Sequence, residues 1–382
     1  MQILTVDVGT GTQDIFLYND AFDIENCYKL ILPSPTMMVR RRIHQATKFR
    51  QPILLSGVLM GGGPGSWAAE DHLHAGLPVY ASPAAARCFN DDLDAVRSLG
   101  VTLVSEDEAH ALPETVMRIQ MRDFDFHAIA RAFNEFGVSL DKLSAVAVAA
   151  FDHGSAPVDV SDRKFRFDYL DRRIRAQNRL SAFAYLAKDI PPEMTRLQAI
   201  ACSAASVDAP LVVMDSAPAA ILGATFDPLL KERERVLIAN VGNFHTLAFR
   251  LGPTGIEGMF EHHTGFLSGP KIDRLLLALA EGRLTNASVF EDQGHGALVY
   301  HAAPLEFPAS EFGVAVTGPR RSLMAASTLR PYFCAPFGDM MIAGCFGLLA
   351  ATADLLPEIG VGIRSMLAHG KQNGPSPWDG DM

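Results

Sequence analysis

Two stretches decide how this 382-residue chain reads: residues 3–17, ILTVDVGTGTQDIFL, and residues 236–250, VLIANVGNFHTLAFR. They align without a gap, with Asp7 falling on Asn240 and Gly9 on Gly242. Each is an apolar strand, a polar residue, Val-Gly, a polar tip and a second apolar strand, which is a hairpin with a glycine turn. One such hairpin is commonplace. Two in register, each opening an α/β half, predict an internal duplication. A tight glycine turn also exposes successive backbone N–H groups, a concave donor site for phosphate oxygens. Two facing turns would clamp a polyphosphate across a cleft between lobes.

Outward from the hairpins, apolar runs near 27–32, 52–59, 78–81, 210–214 and 312–317 read as strands. The segments 40–50, 66–74, 91–99, 123–136, 170–187 and 218–224 read as helices. Such alternation is an α/β signature. The run Ser144 to Phe151, SAVAVAAF, is continuously apolar, as a strand covered on both faces would be. Residues 292–310 read as Gly-, Pro- and His-rich loops, and the tail after Gly370 reads as frayed.

Length and composition set limits. A chain this long exceeds what one compact core usually serves. Two lobes are therefore expected: 1–225 with a C-terminal helix returning at 336–368, and 226–335. With 48% hydrophobic and 20% charged residues the chain is globular in composition. The 43 acidic against 33 basic residues give a net charge of -10, which argues against a nucleic-acid partner. The uncharged run Met340–Ala353 is too short to cross a bilayer and reads as a buried helix. The N-terminus enters a strand directly, with no signal peptide, so a cytoplasmic protein with no membrane partner is expected. Cysteines at 27, 88, 202, 334 and 345 form no C-x-x-C pair and no close triplet. A radical-type iron–sulfur loop cannot be built locally from them.

The ordered set of motifs resembles the nucleotide site of the actin, heat-shock-70 chaperone and sugar-kinase ATPase superfamily. Asp7-Val-Gly-Thr-Gly-Thr12 is similar to its first phosphate motif, and Ala239-Asn-Val-Gly-Asn-Phe-His-Thr246 to its second. Asp215 through Ala224 and Pro336 through Ala350 resemble the two connecting motifs. His263 through Asp273 resembles the glycine segment and helix between them, and Val314 through Pro319 the adenosine motif. More narrowly, the chain resembles a prokaryotic family labelled as a pyruvate formate-lyase activating enzyme, although such activators need the close cysteine triplet that is missing here.

The resemblance implies a two-lobed actin-like ATPase fold of the ribonuclease-H-like type, binding ATP and Mg²⁺. It assigns Asp7 and Asn240 to the metal. It assigns Gly9, Thr10, Gly11, Thr12, Gln13, Gly242, Asn243, His245, Thr246, Gly269, Gly318 and Pro319 to the nucleotide. Asp215 matches the acid that orients the attacking water in chaperone ATPases, and His153 a substrate position in sugar kinases. The implied function is phosphotransfer to a small metabolite, or ATP hydrolysis. The alternative is a nucleotide-responsive accessory factor that activates or assembles a partner enzyme, and self-association is compatible with either. Two departures bear on this: Asn240 stands where aspartate is usual, and Asn243 where glycine is usual. Asparagine adds no negative charge, so weaker Mg²⁺ affinity is expected.

Each candidate also has a plain structural role. Asp7 could serve an Asx-turn and Asp215 a helix N-cap. Asp152 and His153 end a buried strand, where ligands of open α/β sheets gather, but Asp-His-Gly also suits a turn. Gly61-Gly62-Gly63 is either an anion site or a flexible corner. His245, His262 and His263 lack metal-ligand spacing and read as polar packing. The loop Asp292–Gly296 is either a substrate contact or a plain connection. The arginines at 40–42 and 172–179 read as solvated helix faces.

Overall fold

The first strand β1 (Gln2–Val8) turns into β2 (Thr12–Asn19), which pairs with β3 (Tyr28–Pro33), all antiparallel. The structure, a computed structural model, describes residues 1–307 and 311–369; the tail expected to fray lies outside the described residues. After β3 the chain leaves this sheet and builds a separate one from β4 (Ile53–Gly57), β5 (Val79–Ala81), β6 (Thr102–Leu103) and β7 (Met117–Met121). Its four strands run parallel in the order β6-β5-β4-β7. The chain then returns with β8 (Ala145–Ala150), β9 (Ala184–Leu186) and β10 (Leu211–Asp215), giving the order β3-β2-β1-β8-β10-β9. Strands β1, β8 and β10 are parallel neighbours.

Strand β8 shows why this sheet is covered on both sides. Successive side chains of a strand point to opposite faces. Val146, Val148 and Ala150 enter one apolar core, while Ala145, Ala147 and Ala149 enter another. All six are fully buried.

The third sheet repeats the plan of the first. Strands β11 (Val236–Val241), β12 (His245–Gly252) and β13 (Gly255–His263) form an antiparallel meander. β14 (Gly296–Val299) extends one edge, and β15 (Val314–Thr317) and β16 (Pro331–Phe333) add parallel strands beside β11. The order is β14-β13-β12-β11-β15-β16. In both sheets a meander opens the unit and parallel strands then join its first strand. The duplication therefore extends from the hairpins to whole sheets.

Helices Ser216–Ala224 and Ala343–Leu355 cross at contact distance. A Cβ on Gly223 would overlap the Ala343 carbonyl, and one on Gly347 would overlap the Ala219 carbonyl. Only small residues allow backbones this close, and the uncharged run near the C-terminus is accordingly buried. Among the described residues no helix is long and apolar enough to cross a membrane.

Two local expectations are corrected. The helix expected at 170–187 spans Asp162–Ala176 and is followed by a turn and β9. Its buried stripe includes Arg166, Leu170 and Ile174, an i, i+4, i+8 series with an arginine in an apolar place. The loop expected at 292–310 contains β14, four residues too short to show a period.

Candidate functional site

The two glycine turns share one backbone geometry. Gly9 N–H donates to Thr12 O at 2.9 Å, and Gly242 N–H donates to His245 O at 2.9 Å. Both turns line one cleft of about 460 Å³. They approach so closely that a Cβ on Gly11 would overlap the Asn243 side-chain amide. Asp7 at the end of β1, Asp152 just past β8 and Asp215 at the end of β10 mark the carboxyl ends of three adjacent parallel strands. That edge is where an open α/β sheet places ligands.

Most of the predicted residues meet here. Asp7, Gly9, Thr10, Gly11, Thr12, Asp152, His153, Asn240, Gly242, Asn243, His245, Gly318 and Pro319 all line the cleft, and so does the Gly61–Gly63 turn. Four others do not line it: Gln13, Thr246, Gly269 and Asp215. The Gln13 amide donates to Pro33 O at 3.0 Å. The buried Thr246 hydroxyl pairs with that of Thr264 at 2.9 Å. Gly269 begins the helix Gly269–Ala280 and packs on the Leu323 carbonyl. Asp215 is near but committed. Its two oxygens take Arg166 at 2.6 and 3.2 Å, and Oδ1 also caps the following helix by accepting from Ala217 N–H. Asp152 accepts from Gly154 N–H at 2.8 Å and Leu197 N–H at 3.0 Å. Burial still pushes its carboxyl up to about 6.

Residues that sequence reasoning passed over complete the cleft. Asp14 is the cross-strand partner of Asp7 and lines the cleft with it. Asp7 accepts from the Ser216 hydroxyl at 2.7 Å, whereas Asp14 Oδ1 is buried without a partner. Burial raises Asp7 to about 6, the nearby Asp215 adding to the effect. Burial, then the charge of Asp7, raises Asp14 to about 8. Gly344 presses against Asp7 so closely that a Cβ there would overlap its carboxylate. The visible signal for Asp14 was an acid opposite Asp7 in the hairpin register.

A buried ion-pair network joins two sheets. Arg166 bonds Asp215 of β10, Glu261 of β13 at 2.9–3.1 Å and the Asp152 carbonyl at 2.6 Å. Burial opposes the guanidinium charge, but Asp215 and Glu261 override it and hold Arg166 protonated. Glu261 is raised to about 7, chiefly by burial. Arg196 makes a two-pronged pair with buried Asp123 at 2.8 and 2.9 Å, and also lines the cleft.

Histidines gather on one wall. His153 Nε2 lies 2.9 Å from His295 Nε2, and the His245 ring stacks on Phe151 at 4.1 Å. The His263 ring centre lies 4.6 Å from that of His295. Burial, then the neighbouring arginines and His263, lowers His153 to about 3. His245, His263 and His295 are also pushed down, each first by burial. These rings are neutral at ordinary pH. His262 stands apart, with Nε2 3.4 Å from Asp292, whereas His245 and His263, expected as polar packing, belong to the cluster.

Sheet plan and cleft together define the class: an internally duplicated α/β protein whose two hairpin turns face one cleft. The chain belongs to the family described as "Putative pyruvate format-lyase activating enzyme (DUF1786)", whose model matches residues 60–323. Among solved structures, the activator of the 2-hydroxyisocaproyl-CoA dehydratase from Clostridium difficile with bound ADPNP is similar with a TM-score of 0.32 at 8% identity, over 91% of this chain and 92% of that one. An exopolyphosphatase-like protein is similar with a TM-score of 0.23 at 10% identity, over 74% of this chain and 59% of that one. No curated protein matches.

The chemistry in the family's description needs clustered thiolates, and these residues do not fit it. All five cysteines are free. They lie on separate elements: Cys345 donates to the Asp14 carbonyl, Cys334 to the Val316 carbonyl, and Cys88 accepts from Met60 N–H.

Proposed function

We propose that the cleft binds a magnesium nucleotide, ATP, with its phosphates between the Gly9–Thr12 and Gly242–His245 turns and its base toward Gly318 and Pro319. The observation that carries this reading is the pair of turns, each closed by the same backbone hydrogen bond, facing one cleft from two sheets. Backbone N–H groups in such turns favour phosphate oxygens. The acids of the first turn suit a hard cation. Asp7 and Asp14 offer oxygen donors side by side, and the orphaned Asp14 Oδ1 is an acceptor that burial leaves uncompensated. These two would hold Mg²⁺, with Asn240 contributing through its water shell. The ion would neutralise phosphate charge.

The chain's own groups then divide the work of phosphotransfer or hydrolysis. Asp152 and His153 line the cleft and would position an acceptor hydroxyl or a water. Asp215 would act at one remove, by fixing Arg166. A second reading, a nucleotide-responsive factor acting on a partner protein with little turnover of its own, is favoured by one observation: every oxygen of Asp215 and Asp152 already accepts a hydrogen bond. Thermal-shift titration with Mg·ATP tests binding, and a metabolite-panel turnover assay separates the readings. Asp7→Ala should weaken binding by about tenfold or more, about 1.4 kcal/mol, without unfolding the chain. A variant that keeps the full wild-type stabilisation would show that Asp7 is not at the phosphates.

A further inference from the structure

We propose that His153, His245 and His295 form a second metal centre in the same cleft, for a divalent transition ion of the zinc class. One ring nitrogen from each of the three lies within 4.8 Å of the others. They come from distant parts of the chain: the end of β8, the start of β12 and the residue before β14. Nitrogens on one tetrahedral zinc ion, at about 2.0–2.1 Å from it, stand about 3.4 Å apart. The 2.9 Å between His153 and His295 therefore needs to open by only a few tenths of an ångström.

Hydrogen bonding within the cluster does not account for it. His245 Nε2 is buried with no hydrogen-bond partner, an arrangement that folded proteins seldom leave unexplained. Neutral imidazole suits zinc, cobalt, nickel or copper, whereas Mg²⁺ prefers oxygen. The surroundings fit as well. Glu261 Oε1 stands 3.5 Å from His295 Nδ1, in the place of the carboxylate that commonly orients a metal-bound histidine from its far side. Asp215 and Glu261 share the single Arg166, so this buried network sets two carboxyl groups against one guanidinium, and a dication beside it would favour their ionised forms. Phe151 holds the His245 ring by stacking, 10° from parallel. All three imidazoles line the cleft. Three protein ligands beside open space leave a position for water or a substrate oxygen, the form of catalytic rather than closed structural zinc sites.

This centre does not depend on the nucleotide reading, and its test is separate. The whole 382-residue chain, without an affinity tag, is stripped with a chelator and reloaded with Zn²⁺ or Co²⁺ in excess Mg²⁺. One bound ion per chain is expected, with a four-coordinate Co²⁺ spectrum. His153→Ala and His245→Ala should each weaken binding at least about tenfold, the least that loss of an outer partner costs, while Asp7→Asn leaves it unchanged. X-ray absorption of the zinc-loaded wild type gives an answer even if a variant fails to fold, and should show an imidazole-rich shell. Substoichiometric loading, unchanged binding in both histidine variants or an oxygen-only shell would each overturn the proposal.

Discussion

The turns Gly9–Thr12 and Gly242–His245 have the same backbone and opposite chemistry. Across the first hairpin Asp7 faces Asp14; across the second Asn240 faces Leu247. The first turn therefore brings two buried carboxyl groups whose ionised form burial disfavours, and the second brings His245 to a wall of neutral imidazoles. Duplication kept what the fold requires, the glycine and the i to i+3 hydrogen bond. Side chains at the strand ends were free to diverge, because they point into a cleft rather than a core. Hard oxygen donors on one side and borderline nitrogen donors on the other make two unlike cation sites from one repeated motif.

The largest effect should come from breaking the contact that joins the two sides. Arg166→Met leaves Asp215 and Glu261 buried and unpaired, and should cost about 3–5 kcal/mol in denaturant unfolding. A loss below about 1 kcal/mol would mean that the sheets are not held together there.

Next in size is a change that makes the second turn more like the first. Asn240→Asp should tighten Mg·ATP binding about tenfold, about 1.4 kcal/mol, and weaken ATP binding in EDTA, where the new charge only repels phosphate. Calorimetric titration of both proteins in both buffers decides it, and equal affinities throughout would place Asn240 away from the metal.

The third change acts within the first turn itself, at the buried acid opposite Asp7. Asp14 is raised to about 8 against a usual 3.8. Between those values the folded state holds a proton that the unfolded state releases. The contribution of Asp14 to the stability of the metal-free protein should then fall as pH rises from about 4 to about 8. Asp14→Asn removes this loss. In EDTA it should match wild type near pH 4 and exceed it by at least about 1 kcal/mol at pH 8. Parallel stability–pH curves for the two proteins would show that Asp14 is not strained.

The duplicated hairpin, the α/β class and the buried strand at 144–151 were legible because they depend on local pattern: period-two burial, a glycine turn and a continuous apolar run. The carboxylates ending three neighbouring strands could be named for the same reason. Arg166 could not, because an arginine inside a polar-looking helix reveals its burial only once β10 and β13 bring Asp215 and Glu261 to it. Of the four-stranded parallel sheet only β4 and β5 were legible; β6, β7 and the separateness of the sheet were not, since two of its strands are short and strand partners are chosen by long-range pairing. The histidine trio is the clearest case. His153, His245 and His295 lie on three unrelated segments with no spacing for a motif to record. Sequence alone determined which backbone units repeat, because repetition is written residue by residue along the chain. Tertiary structure alone decided which side chains share a cavity, because proximity there depends on how distant strands pair.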